Sequence, residues 1–171
     1  NVGDGSVNLK NAYVNSDTVN INGTSIALEQ KNLSLTNGND TVTVRRNSIL
    51  VNALAGDDSI TNDGGASSTI NGGADDDYIY NDSDSKYVSI NGGAGNDTIS
   101  NYGISSTIEG GKGNDLISND NYSSNGNDIV FKYASGDGND TIEGFKLNST
   151  LLVGDGSGRS EERRVGKECR S

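Results

Sequence analysis

Isolated isoleucines recur along the chain between glycine-rich polar segments. One set lies two residues after an aspartate, and a second set lies two residues before a glycine. A β-branched residue in an alternating polar and apolar triplet fits a short strand, whereas glycine and asparagine permit tight turns on either side. One period therefore predicts turn, strand, looser turn, strand, which is one coil of an all-β, two-sheet parallel β-roll. The first set is Ile60, Ile79, Ile99 and Ile117, and the second is Ile70, Ile90 and Ile108.

A glycine-rich phrase with an aspartate as its sixth residue repeats at nearly constant spacing. The copies begin at residues 35, 53, 72, 92 and 110, so the aspartates are separated by steps of 18, 19, 20 and 18 residues. Self-similarity at such a period is typical of a solenoid. The aspartates are Asp40, Asp58, Asp77, Asp97 and Asp115.

Stacking these coils places like charges in a row. Hydrogen-bonded strands lie about 4.8 Å apart, so equivalent carboxylates repel by about 0.9 kcal/mol in water and about 3.5 kcal/mol at an effective dielectric constant of about 20. Lysine and arginine are few and do not recur in phase with the aspartates. A hard divalent cation held by carboxylates and turn carbonyls would supply the missing charge, and this ligand set suits Ca²⁺. The alternative is a calcium-free solenoid rich in asparagine and glycine.

The two best-formed copies, GGAGNDTIS (92–100) and GGKGNDLIS (110–118), match the nonapeptide G-G-x-G-x-D-x-U-x, where U is a large aliphatic residue. In this the chain resembles the repeats-in-toxin, or haemolysin-type calcium-binding, proteins over roughly residues 35–145. The resemblance implies a right-handed parallel β-roll with Ca²⁺ held between successive turns by the sixth-position aspartates and backbone carbonyls. Its best site here would use Asp97 and Asp115, with carbonyls near Gly92, Gly95, Gly110 and Gly113.

Three further copies keep the aspartate, again a candidate ligand, but depart from the glycine pattern. In the copy with Gly72 and Asp77, Asp75 replaces the third glycine, which makes the turn costlier if that position needs positive φ. The other two copies have larger residues in place of the first glycine pair. They are the Asp58 copy, which retains Gly56, and the Asp40 copy, and the replacements are Ala53 with Leu54 and Leu35 with Thr36.

Two more aspartates follow the regular copies at different spacing. Asp128 and Asp140 come at steps of 13 and 12 residues after Asp115. The phrase GDGNDTI, followed by Phe145, resembles the terminal repeat of the same family, so both aspartates are candidate calcium ligands and Asp137 is a turn residue. The turns opposite the aspartates lack the motif. We therefore expect one row of ions, with the other side closed by asparagine and serine hydrogen bonds.

The ends of the chain depart from the period. Residues 1–34 are predicted to form irregular leading coils that cap the roll, with the end of an upstream domain as the alternative; residues 35–119 form the repeats and residues 120–158 divergent terminal repeats. Residues 159–171 hold five of the 13 basic residues and the only cysteine. This tail resembles a translated sequencing adapter, so we interpret it as non-native. Because the chain has no methionine, we expect a fragment of a longer reading frame.

Composition limits both stability and function. Only 30% of the residues are hydrophobic, and the net charge is −11. The isoleucine ladder makes a thin core, so bound calcium would supply part of the stability and the chain would fold on binding it. The acidic excess argues against nucleic-acid and anionic-membrane partners, which need basic surfaces. Without histidine, no Ser/His or Cys/His pair can form, so we expect no enzyme activity.

Three functional classes compete. The sequence favours a calcium-binding structural module of a larger secreted or surface bacterial protein, exported by type I secretion machinery and meeting an unknown extracellular partner. The alternative is the C-terminal roll of an exported protease or lipase. An ice-binding solenoid is disfavoured because the seventh position of the repeat is irregular, and a carbohydrate-binding one because the tyrosines are out of phase and favour surface or turn packing. Those tyrosines are Tyr78, Tyr80, Tyr87 and Tyr102.

Overall fold

The computed structural model describes residues 32–120 and 128–154 with their side chains, and residues 12–15, 18–21, 24–27 and 160–164 as backbone strands. Within these residues, all regular secondary structure is β-strand. The strands are β1 (Ala12–Asn15), β2 (Thr18–Ile21), β3 (Thr24–Ala27), β4 (Asn32–Ser34), β5 (Thr41–Val44), β6 (Leu50–Ala55), β7 (Ser59–Asn62), β8 (Thr69–Ala74), β9 (Tyr78–Asn81), β10 (Ser89–Ala94), β11 (Thr98–Asn101), β12 (Thr107–Lys112), β13 (Leu116–Asn119), β14 (Val130–Ala134), β15 (Thr141–Glu143), β16 (Thr150–Gly154) and β17 (Ser160–Arg164).

Successive strands alternate between two sheets. The first sheet has the order β15-β13-β11-β9-β7-β5-β1-β2-β3, and the second has the order β17-β16-β14-β12-β10-β8-β6-β4. From β4 to β16 each strand pairs in parallel with the equivalent strand of the next coil. The chain is therefore a parallel two-sheet β-solenoid of about six turns, and the predicted fold class is confirmed.

The isoleucine ladder forms the core, as predicted. Parallel pairing in register places each inward-facing isoleucine on that of the next coil, so that Ile79 lies between Ile60 and Ile99. All seven isoleucines of the two predicted sets are at most 1% exposed. Val51 and Phe131 continue the second-sheet ladder in the two directions. A narrow core of stacked ladders from both sheets thus runs the length of the stack.

A further inward row lies one residue before each second-sheet strand. It alternates bulky apolar residues with serine, and every member is at most 2% exposed. The serines interrupt the apolar pattern, so the sequence gives no clear signal for this row and its members look like turn residues. The row is Ile49, Ser68, Val88, Ser106, Ile129 and Ser149.

Antiparallel strands cover one end of each sheet. At the leading end of the first sheet, β1 pairs in parallel with β5, and β2 and β3 follow in antiparallel order. At the other end of the second sheet, β17 pairs antiparallel with β16, so part of the tail that we interpret as non-native lies on this edge. The rest of that tail, including Cys169, lies outside the described residues. Strands β14, β15 and β16 continue both ladders beyond the regular repeats.

Two turn residues adopt positive φ where complete copies have glycine. Leu54 has φ 83° and pairs in register with Gly73, whose φ is 124°. Asp75, which stands in place of the third glycine, has φ 76°. The turn is therefore costlier than with glycine, as expected from the sequence. Asp75 Oδ2 accepts a hydrogen bond from Gly56 N–H at 3.1 Å, which offsets part of that cost. Leu54 instead leaves 45% of an apolar side chain exposed.

Replacing Ile99 tests the ladder, because its truncation leaves a cavity between two stacked neighbours. We expect Ile99→Ala to lower the free energy of unfolding by about 2–5 kcal/mol and Ile99→Val by about 0.5–1.5 kcal/mol. Urea unfolding followed by circular dichroism measures both. Leu116→Ala, on the outer face of β13, is the control and should change stability by less than about 0.5 kcal/mol. Equal losses at Ile99 and Leu116 would contradict the ladder.

Leu54→Gly should stabilise the chain, because glycine adopts positive φ without the strain that a Cβ causes. We expect a gain of about 1 kcal/mol in the free energy of unfolding. Leu50→Gly, in the same strand but outside the positive-φ residues, should instead lose about 0.5–1 kcal/mol. If both glycine variants destabilise the chain, the positive φ of Leu54 does not strain the backbone as expected.

Candidate functional site

The sixth residue of every copy lies in one row along one side of the solenoid. Each of these aspartates directly precedes a first-sheet strand, so parallel register stacks them coil upon coil. The five aspartates of the regular copies are only 1–3% exposed, and Asp140 extends the row by one more coil. The buried members are Asp40, Asp58, Asp77, Asp97 and Asp115.

From Asp58 onward, one oxygen of each carboxylate accepts a hydrogen bond from the backbone of the preceding coil, whereas Asp40 Oδ2 accepts one from Thr36 N–H in its own turn at 2.7 Å. Asp97 Oδ1 accepts a hydrogen bond from Asp77 N–H at 2.8 Å, and Asp115 Oδ1 accepts one from Asp97 N–H at 2.8 Å. The same bond recurs at 2.7–3.0 Å along the rest of the row, from Asp40 to Asp58, from Asp58 to Asp77 and from Asp115 to Asp140. A charged acceptor on a backbone N–H makes a strong hydrogen bond, so these bonds fix the carboxylates in place.

The other oxygen has no donor. Oδ2 is buried and makes no hydrogen bond to the described residues in Asp58, Asp77, Asp97 and Asp115. Buried polar atoms are rarely left unsatisfied, since each costs about 1–3 kcal/mol. An unpartnered oxygen that recurs in four successive coils therefore marks the row as a place where a proton or a cation is needed.

A backbone carbonyl faces this second oxygen. Asp77 Oδ2 and the carbonyl oxygen of Gly92 both lie where a Cβ on Gly72 would fall, and Asp97 Oδ2 and the carbonyl oxygen of Gly110 share the equivalent position at Gly92. At Gly72 and Gly92 the motif thus requires glycine because there is no room for a Cβ, and not because φ is positive. Two acceptors that face each other attract a positive charge between them.

Burial raises the pKa of these carboxyl groups. The pKa of Asp77 is raised to about 7 and those of Asp58 and Asp97 to about 6, mainly by desolvation, against which the backbone hydrogen bond acts. Neighbouring aspartates of the row add to the rise. The pKa of Asp115 is raised for the same first reason. Without a cation, the row is therefore partly protonated near neutral pH.

The available ligands are all oxygen atoms. No three Asp, Glu, His or Cys side chains converge as a metal cluster within the described ranges 32–120 and 128–154. An ion here would therefore need backbone carbonyls as well as carboxylates from successive coils, and that mixture suits Ca²⁺. The carbonyls of Gly92 and Gly110 lie beside the row, so these residues fit the ion. Those of Gly95 and Gly113 face the fourth-position glycine of the following coil instead, and Gly56 N–H is bound to Asp75.

A second ladder runs in the opposite direction one residue earlier. At the fifth position, the N–H of each coil donates to the side chain of the preceding coil, as Asn96 N–H does to Asp76 Oδ1 at 2.6 Å and Asn114 N–H to Asn96 Oδ1 at 3.0 Å. Adjacent ladders of opposite direction clamp each turn to both neighbouring coils. The sequence carries a signal for this row, because every copy has Asn or Asp there: Asn39, Asp57, Asp76, Asn96, Asn114 and Asn139.

The opposite side of the solenoid is closed by asparagine and serine hydrogen bonds, as predicted. Asn81 Nδ2 donates to Asn101 Oδ1 at 2.7 Å, and Asn62 and Asn119 continue this ladder on either side. All four asparagines are 0% exposed. An amide carries both a donor and an acceptor, so each asparagine donates to the carbonyl oxygen of the next, and only Asn62 Oδ1 at the leading end lacks a partner among the described residues. Ser68 Oγ also donates to the Arg46 carbonyl in this region at 3.3 Å.

The two late aspartates lie in different places. Asp140 joins the row 25 residues after Asp115, because the strand register is kept although the chain between β13 and β15 is longer than between earlier first-sheet strands. Asp128 is exposed, two residues before β14, in the turn between the first and second sheets, so the structure does not bring it to the row. Asp137 is a turn residue, as predicted, and its Oδ2 accepts a hydrogen bond from Ala134 N–H at 2.5 Å.

Comparison with known proteins adds no relative. The chain matches no family model, no curated protein and no solved structure. The resemblance to the repeats-in-toxin proteins therefore rests on the nonapeptides and is compatible with the solenoid. Among the described residues, no helix has the length and apolar character needed to span a membrane.

The raised pKa values predict that acid stabilises the metal-free chain. The ordinary pKa of these carboxyl groups is 3.8, so between that pH and about 7 the folded chain binds more protons than the unfolded one. Stability then falls as pH rises through this window. In the presence of a chelator, we expect the melting temperature from circular dichroism to be lower at pH 8 than at pH 5.

Two variants separate the row from general acidity. Asp77→Asn removes the group whose pKa is raised to about 7 and should flatten the dependence of stability on pH. Asp84→Asn, at an exposed residue of an opposite turn, should leave that dependence unchanged. A melting temperature that rises with pH in chelator would contradict the raised pKa values of the buried carboxyl groups.

Proposed function

We propose that the chain is a calcium-binding structural module, whose coils are joined by ions along one side. The observation that supports this most is the buried, unpartnered Oδ2 in four successive coils, which at Asp77 and Asp97 lies beside a carbonyl oxygen of the next coil, that of Gly92 and that of Gly110. A calcium ion between successive coils would neutralise the stacked carboxylates and give these unpaired acceptors a partner.

The two complete copies supply the central site of this proposal. Asp97 and Asp115 would hold the ion, together with carbonyls of the glycines that begin their turns, while backbone N–H groups keep the carboxylates oriented. Asp77, Asp58 and Asp40 would continue the row towards the leading end, and Asp140 towards the other. At millimolar Ca²⁺ and a Kd of about 10⁻⁴ M, each site would contribute about 1.4 kcal/mol of stability.

Calcium-dependent folding suits a protein that acts outside the cell, where calcium is abundant. In this proposal the module belongs to a larger secreted or surface bacterial protein, passes through type I secretion machinery and folds on reaching calcium. It serves as a folding element or spacer towards an extracellular partner, without catalysis, nucleic-acid binding or membrane insertion of its own. The strong acidity supports the last two points, since both surfaces are anionic.

Calorimetric titration of the full chain with CaCl₂ at pH 7.5 tests the proposal. We expect saturable binding with an increase in β-sheet circular dichroism and in melting temperature. Asp97→Asn combined with Asp115→Asn should remove at least one site and about 1–3 kcal/mol of the stabilisation by calcium. The double variant keeps the side-chain volume and the Oδ1 acceptor, so its effect reports on charge.

The matched control is Asp84→Asn combined with Asp120→Asn, at two exposed aspartates outside the row. This variant should titrate like the original chain. No heat of binding at millimolar Ca²⁺, together with the same melting curve in chelator, would instead support the calcium-free solenoid. Equal losses in the two double variants would show that only general acidity matters.

A further inference from the structure

The outer face of five adjacent first-sheet strands differs from the rest of this acidic chain. Strands β5, β7, β9, β11 and β13 point alternate residues outward, opposite to the buried isoleucines. These ten residues carry no charge in a chain of net charge −11. Nine of them have a hydroxyl group and none is acidic, so the face is neutral and polar. They are Thr41, Thr43, Ser59, Thr61, Tyr78, Tyr80, Thr98, Ser100, Leu116 and Ser118.

Three tyrosines cross this face on a diagonal. Tyr78 and Tyr80 lie on β9, and Tyr102 follows β11 with the same outward parity as Thr98 and Ser100. The rings of Tyr80 and Tyr102 have centroids 5.4 Å apart and are tilted by 39°. Tyr78 is 43% exposed beside them. We call Tyr78, Tyr80 and Tyr102 the tyrosine strip; the surface packing expected from the sequence is present, and it joins two coils.

Carboxylates flank one end of the tyrosine strip. In the two preceding coils, Asp63 and Asp82 occupy the position that Tyr102 has in its own coil, since each N–H bonds to the equivalent carbonyl of the coil before. Burial, and next the nearby Asp82, raise the pKa of Tyr80, so its phenol stays protonated and able to donate. The strip thus combines aromatic surface with hydroxyl and carboxylate groups at its edge.

We propose that the tyrosine strip binds a neutral polysaccharide. A tyrosine ring offers a rigid apolar surface with a polar tip, which matches the C–H face and the hydroxyl rim of a pyranose ring. Carboxylates and hydroxyls at the edge can accept and donate to sugar hydroxyls. Asp63 is ion-paired with Arg45, whose Nε donates to Asp63 Oδ2 at 2.6 Å. An anionic polymer would still meet Asp82 and the net negative charge of the whole chain, so charge favours a neutral one. This site is separate from the aspartate row and goes beyond calcium binding.

Other occupants fit the strip less well. An organic cation needs ring faces arranged around one point, whereas the rings of Tyr80 and Tyr102 pack on each other. An apolar protein surface needs aliphatic contacts, and among the ten outward residues only Leu116 is aliphatic. A neutral sugar chain uses both the rings and the hydroxyls that surround them.

Affinity gel electrophoresis of the full chain in calcium tests the proposal. The gels contain hydroxyethyl cellulose, galactomannan or dextran as neutral polymers, or alginate as an anionic one. We expect at least one neutral polymer to retard the chain and alginate not to do so. Tyr80→Ala and Tyr102→Ala should each weaken the retardation constant at least tenfold, and Tyr80→Phe, which keeps the ring, less than either.

The matched control is Tyr87→Ala, because Tyr87 is 66% exposed but lies in the turn before β10, away from the strip. It should not change the retardation. Circular dichroism in calcium confirms that each variant is folded, which keeps a failure here distinct from a failure of calcium binding. Migration unchanged by all three neutral polymers would overturn the proposal, and so would an equal effect of Tyr87→Ala or equal retardation by alginate.

Discussion

In a parallel stack in register, every inward side chain meets the side chain at the same position of the next coil, about 4.8 Å away. This constraint decides which residues the interior accepts. Isoleucine stacks on isoleucine and excludes water, as Ile79 and Ile99 do. Asparagine is also self-complementary, because its amide donates to the next carbonyl, as in Asn81 and Asn101. Aspartate is not, since an ionised carboxylate only accepts.

The aspartate row meets this difficulty only in part. From Asp58 onward each Oδ1 accepts a backbone N–H from the preceding coil, and the ladder at the fifth position runs the other way, so both neighbours of every turn are bound. What remains is a buried, unpartnered Oδ2 in four successive coils, and at Asp77 and Asp97 it lies beside a carbonyl oxygen. On the asparagine side, at equal burial, the one ladder oxygen without a partner among the described residues is Asn62 Oδ1 at the leading end. Comparing the two sides of one solenoid therefore locates the candidate site without reference to any relative.

Sequence periodicity was sufficient for the fold and for the aspartate row, because both follow from one position repeated at one period. It was insufficient where structure depends on register rather than on motif. Asp128 and Asp140 look alike in sequence, yet Asp128 precedes the second-sheet strand β14 and only Asp140 precedes a first-sheet strand, so only Asp140 joins the row. Tyr80 and Tyr102 are out of phase in the repeat, yet outward parity and a one-coil step bring their rings together. The inward row that contains Ile49 alternates apolar residues with serines, so no hydrophobic pattern in the sequence predicts that this row is buried.

Tyr80 and Tyr102 lie towards the ends of the first-sheet strands that are far from the aspartate row, whereas Tyr78 directly follows Asp77 at the near end of β9. The ring of Tyr78 is on the outer face and 43% exposed, while the carboxylate of Asp77 is buried. The strip and the row are nevertheless coupled through the stack. Tyr80 and Tyr102 belong to two successive coils, and the hydrogen bond between Asp77 N–H and Asp97 Oδ1 joins those same coils. The strip exists only while these coils are stacked. Whatever stabilises this hydrogen bond between the coils therefore also preserves the distance between the rings of Tyr80 and Tyr102.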